Sequence, residues 1–394
     1  MNRLAFSSLL CALVVSLSAP VMPQTSSTEG LDMQAARAKT MTKKGHTRYY
    51  TRTFDLSGLP SYTPKGQVAG TIRIWGSNYI TDSPLGDYWA AAFQKVQPGV
   101  KFDFHMLSAL AAVPSLVFGV SDIGIGRKVT FSELELFQRY TNRDPVEITI
   151  ATGSYNVSGW QPAYGIVVNK VNPLKHISMR QLDCTFGSER TGGWEGTSWR
   201  PNWGRGPECN IRTWGQLGLK GSWANKPIHP YGLTLRYHQA VEFSDDVLRG
   251  SDKWNEHLRI YANYVSTKGV LERGLAEDLS NDPLGIAYIN GPTAALAGGK
   301  APDYKVLDLA VNDGGPYIPY TMDTLQSRTY PLISSIYAYQ DRPDGKHLDP
   351  KILEFLRFVV SREGQAEVMR DGKYLPLTAA ESNAMLAKLD ALSR

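Results

Sequence analysis

The chain has 394 residues, 42% of them apolar and 20% charged, the balance of an ordinary globular protein with length enough for two domains. Its formal charge of +5 is a mild excess that suits an anionic ligand. No dense basic stripe or nucleic-acid motif accompanies it, so nucleic acid is not among the expected partners.

The first 24 residues read as a secretory signal peptide. Arg3 is the only charge there, and Leu4 to Ala19 is mostly apolar and ends in small residues. The run is shorter than the roughly 20 apolar residues that span a bilayer. The mature chain is therefore expected in the periplasm or outside the cell. Cys11 leaves with the signal, so Cys184 and Cys209 remain. In an oxidising compartment they read as a disulfide, with two buried thiols as the alternative. Residues 25–66 form an N-terminal extension that carries Arg37, Lys39, Lys43, Lys44, Arg48 and Arg52 and few aliphatics, expected as a solvated arm that partly wraps the first lobe.

From Gly70 strands and helices alternate. TIRIW (71–75) is a strand, and 84–96 carries Leu85, Trp89, Ala92, Phe93 and Val96 at helical spacing. VKFDFHM (100–106) is a strand, ALAAVPSLVFG a short helix with Pro114 near its start or breaking it, and DIGIG a buried strand. A helix follows at 132–140, with Ser132 and Glu135 as its capping box. VEITIA and AYGIVVN are strands. Then come a helix at 178–183, a loop at 185–208 rich in Gly, Trp and Arg, a strand at 227–231 and a helix at 237–249. LGIAYI (284–289), YKVLDLA and YPLISSIYAY are strands, and helices at 349–360, 362–370 and 378–391 close the chain. This alternation predicts an α/β fold with a mainly parallel sheet.

Seven stretches between Gly70 and Leu377 resemble, in order, the phosphate-binding proteins of ABC transporters, which are type II periplasmic binding proteins. They are IRIWGSN with PLGDYWAAAFQKVQPGV; SDIGIGRKVTFSE; YGIVVNKVNPLKHISMRQLDCTFG; IRTWGQLGLKGSWANKPIHPYG; DPLGIAYIN; YPLISSIYAY; and FLRFVVSREGQAEVMRDGKYLPL. Agreement of separate pieces in order carries more weight than any one of them. The resemblance implies two α/β lobes joined by a hinge of crossing strands, with the ligand in the cleft. Lobe one would hold 67–165 and 285–394, and lobe two 166–284, the chain crossing near Val167–Asn169 and returning near Leu284–Ile289.

Helix N-termini, hydroxyls and an Arg fork hold oxyanions. Candidate ligand residues are Gly76, Ser77 and Asn78 after the first strand, Ser108 as a helix N-cap, Arg127 after DIGIG, and the loop with Thr234, Arg236, Tyr237 and His238. In that last place the family has an Arg and then Ser-Gly-Thr. This chain reads Leu233-Thr234-Leu235-Arg236-Tyr237-His238-Gln239, so Leu233 stands at the Arg position. Arg236 is the replacement at hand, and a protonated His238 would suit a larger anion. Asp245-Asp246 and Glu133/Glu135 read as solvated helix faces. Trp194, Trp199 and Trp203 either pack the 185–208 loop onto lobe two or offer faces to a sugar or a protein partner. No metal-ligand spacing, nucleophile elbow or phosphate-cradling Gly-Lys-Ser/Thr loop is present. The expected function is binding of phosphate or another small anion by a monomer that serves an ABC permease, with no cofactor and no catalysis. The alternative is a secreted binding protein that kept the fold and lost phosphate.

Overall fold

The computed structural model describes residues 45–157, 159–235, 238–261, 274–293, 303–343 and 345–393. The expected signal peptide (1–24), the start of the extension, Arg236 and Tyr237 lie outside the described residues.

In chain order the first lobe opens with β1 (Ala69–Gly76), α1 (Tyr79–Asp82), α2 (Leu85–Gln94), β2 (Gly99–His105), α3 (Ala112–Val117), β3 (Ile123–Gly126), α4 (Phe131–Thr141) and β4 (Val146–Thr152). The second lobe follows with β5 (Tyr164–Asn169), β6 (His176–Ser178), α5 (Met179–Phe186), the hairpin β7 (Gly193–Glu195) and β8 (Ser198–Arg200), β9 (His229–Leu233), α6 (His238–Val247), β10 (Arg259–Tyr261), α7 (Leu275–Asn281), β11 (Gly285–Asn290), β12 (Tyr304–Val306), β13 (Asp308–Ala310) and α8 (Met322–Gln326). The chain then returns to the first lobe with β14 (Ser335–Gln340), α9 (Pro350–Val360), α10 (Arg362–Asp371) and α11 (Ala379–Leu392).

Each lobe is built on a five-stranded sheet, ordered β2-β1-β3-β14-β4 in the first and β10-β9-β11-β5-β12 in the second. The sheets are mixed rather than mainly parallel. β14 runs antiparallel to β3 and β4, and β5 antiparallel to β11 and β12. Pro114 falls in the first turn of α3, where a missing N–H costs nothing.

Two cores match the two sheets. In the first, Phe93 meets Phe355 and Phe358 at 5.4 Å each, beneath Ile72, Ile74 and Ile148. In the second, Phe243 stacks on Tyr288 at 4.0 Å, among Ile166, Val168 and Ile286. The return crossing differs from the expectation. β11 is buried along almost its whole length and lies between β9 and β5, so 285–290 belongs to the second sheet. Tyr304, Leu309, Tyr320 and Leu332 join the same core, and the chain re-enters the first sheet at Ser335. A strand apolar on both faces fits the centre of either sheet, so its pattern alone did not assign it.

The described part of the extension is pinned at several points, while Arg48, Arg52 and Lys65 stay exposed. Tyr50, Leu56 and Leu59 are buried, the Tyr49 amide donates to the Gly372 carbonyl at 3.0 Å, and Tyr62 packs edge-on against Phe358 at 5.6 Å. Aromatic and leucine side chains together hold it.

Candidate functional site

The C-terminal ends of β1 and β3 form the first rim of the site, where open α/β sheets take ligands. Gly76 has φ 134°, and a Cβ there would stand 1.9 Å from the Ile125 carbonyl oxygen, so only glycine fits. The close approach lets the Ser77 amide donate to that carbonyl at 2.8 Å. Ser77 is buried, and Asn78 donates its Nδ2 to Asp82 Oδ2 at 2.5 Å. Ser108 caps as expected: its hydroxyl accepts from the Leu110 amide at 3.3 Å and opens the turn leading into α3. That turn packs on the end of β3, since a Cβ on Gly126 would meet the Ala109 carbonyl at 3.3 Å. Gly76, Ser77, Asn78, Ser108 and Arg127 therefore share one edge.

Arg127 is buried, and its Nη1 donates to Glu133 Oε2 at 2.9 Å and its Nη2 to Glu133 Oε1 at 3.3 Å. Glu133 also accepts from the Thr130 amide and hydroxyl at 2.9 and 2.7 Å. The capping box of α4 is thus Thr130/Glu133, not Ser132/Glu135, and Glu133 is a half-buried counter-ion rather than part of a solvated face. Both spacings fit the capping pattern. The choice is made by Tyr339, whose hydroxyl accepts from the Val129 amide at 2.9 Å and donates to the Arg127 carbonyl at 2.8 Å, fixing where the strand ends.

The second rim lies at the end of β9 and the start of α6. The Thr234 amide donates to the Tyr261 carbonyl at 3.0 Å. Leu233 is buried in the second core, so the position the family gives to Arg holds a packing residue. Burial and the nearby Arg127 charge push the His238 imidazole down to about 3. His238 is therefore neutral at mildly acidic pH, which corrects the expectation of a protonated anion grip.

One turn on, Glu242 is buried and accepts from the Tyr164 hydroxyl at 2.6 Å and from Gln161 Nε2 at 2.8 Å. Lys128 Nζ stands 3.4 Å from Asp246 Oδ1, and burial raises Asp245 to about 6. So α6 turns His238, Glu242, Asp245 and Asp246 toward the first lobe's Arg127 and Lys128, and the two aspartates are not a solvated face. Sequence reading missed Glu133, Gln161, Tyr164 and Glu242. For Glu242 the available signal was its i, i+4 spacing from His238.

Burial pushes the Glu242 carboxyl up to about 7, from an ordinary 4.5. The folded state then keeps a proton that the unfolded chain has already released. Stability from this group is therefore full at pH below about 4.5, falls as pH rises toward about 7, and is level above that. Glu242→Gln removes the ionisation, so it should match the parent in acid and exceed it at pH 8 by about 3 kcal/mol. Urea denaturation at both pH values checks this, and an equal difference at the two would refute it.

No family model matches the chain. The curated phosphate-binding protein PstS of Pseudomonas aeruginosa strain PAO1 is 26% identical over 332 residues, covering 84% of this chain and 90% of that protein. The chain is similar to phosphate-binding proteins. The PstS of strain UCBPP-PA14 matches to the same extent, and the resemblance carried by the seven ordered stretches is borne out. Among solved structures, PstS from Borrelia burgdorferi is 16% identical with a TM-score of 0.47, covering 78% of this chain and 99% of that one. An ABC-type phosphate transport receptor from Vibrio cholerae is 16% identical with a TM-score of 0.44, covering 77% and 99%.

Proposed function

We propose that this protein is an extracytoplasmic, monomeric solute-binding protein that captures phosphate or a related oxyanion and presents it to an ABC transporter permease, without catalysis. The carrying observation is the match to the phosphate-binding protein PstS over 84% of the chain. The proposed ligand groups are Gly76, Ser77, Asn78, Ser108 and Arg127 from the first rim, with Thr234, Arg236, Tyr237 and His238 from the second. Among the described residues no helix is long and apolar enough to cross a membrane.

A second reading, a secreted binding protein that has lost phosphate, has its own support. Glu133 already neutralises Arg127, His238 is neutral, and Leu233 is turned into the core. Thermal shift separates the two. Phosphate at a hundred times its dissociation constant should add about 2.7 kcal/mol of stability. That gain should vanish in Arg127→Ala and shrink in Ser108→Ala. No response to phosphate, phosphonates, sulfate or sugar phosphates would reject transport and favour the second reading.

A further inference from the structure

Beyond the rim residues, α6 runs along a cavity of about 570 Å³ that none of the candidate anion ligands lines. This volume lies within the 300–1,000 Å³ typical of small-molecule sites. One wall is first-lobe surface around Phe131, Lys128 and Glu147, and the other is the β7–β8 hairpin with the end of α6. The walls are preorganised. Trp194 meets Phe131 edge-on at 5.1 Å, Gln138 Nε2 donates to Thr197 Oγ1 at 2.9 Å, and Arg249 stands 5.6 Å over the Trp203 ring.

A hairpin that only packed onto its lobe would bury its aromatic rings. Here Trp194, which lines the cavity, remains 38% exposed, and Phe131, across it, 40%. The charges around the cavity are of both signs. A cation entering it meets Lys128 and Arg249, and an anion meets Glu147, Glu195, Asp245 and Asp252. A neutral molecule with many hydroxyls satisfies both sets, donating to the carboxylates and accepting from the Lys and Arg nitrogens. Its C–H face would lie against the indole and phenyl surfaces.

We propose that this cavity is a second ligand site, separate from the anion site, and that it takes a neutral sugar. Bound between a first-lobe wall and a second-lobe wall, the sugar would favour the closed arrangement of the lobes.

The test uses the full mature chain, freed of phosphate, in calorimetric titrations with tryptophan fluorescence as a second readout. Glucose, galactose, mannose, maltose and cellobiose are the probes, and putrescine and sulfate the charged controls. At least one sugar should bind saturably at one per chain, change the fluorescence, and not be displaced by phosphate. Asp245→Asn, which keeps side-chain shape, should weaken that sugar about tenfold or more, and Trp203→Ala should remove it. The proposal is overturned if no sugar binds the parent protein, if phosphate competes the sugar away, if only a charged control binds, or if a folded Asp245→Asn binds the sugar unchanged.

Discussion

Asp183→Ala is expected to lower stability by about 3–5 kcal/mol, the cost of breaking a buried ion pair by removing one partner. Arg190 donates to the two Asp183 carboxylate oxygens at 2.6 Å each, and Arg205 adds its Nε at 3.2 Å. The Arg190 side chain is only 4% exposed and that of Arg205 10%. Without Asp183, two guanidinium groups stay buried with no carboxylate to answer them. An exposed pair such as Lys170–Asp303, 52% and 73% exposed, should cost about 1 kcal/mol or less on the same substitution. Urea unfolding with the disulfide kept intact measures both. A loss below about 1 kcal/mol for Asp183→Ala would show that the cluster holds nothing together.

The second large effect concerns the link between Cys184 and Cys209, which are disulfide-bonded with Cα atoms 5.4 Å apart. The bond closes a loop of 25 residues, worth about 3 kcal/mol through the entropy it takes from the unfolded chain. Cys184→Ser with Cys209→Ser should lose that amount. Mass spectrometry of the parent should find no alkylatable thiol until a reductant is added. Two free thiols in the untreated protein would reject the bond. Asp183 adjoins Cys184, and Arg190 and Arg205 lie inside the same loop. Both ties hold one segment, so the triple variant should lose less than the sum of the separate losses.

Much of this architecture is legible in the sequence because its signals are local. Helical spacing from Leu85 to Phe93, the buried run IGIG of β3 and the terminal helices state their own conformation. Expected export and an even count favour pairing of the two cysteines over two buried thiols. What was misread depends on distant partners. The role of Glu133 is set by Arg127 and by Tyr339, more than two hundred residues further on. The two-sided burial of β11 fits either sheet, and only its neighbours β9 and β5 say which. For His238, sequence gives a group that titrates near neutrality, whereas burial beside Arg127 removes its charge. A site of oppositely charged groups drawn from both lobes is invisible one element at a time.

The position of β14 has a consequence for how the chain is made. It lies between β3 and β4, antiparallel to each, so those strands do not pair with one another. At about 5–20 residues per second, Ser335 is added on the order of ten to forty seconds after Thr152. During that interval β3 and β4 each keep an unpaired edge, the kind of surface that recruits other strands. The strands of the second sheet are all complete by Val306. A growing chain can therefore assemble its second sheet while its first stands open, and the sheet that is begun first is finished last.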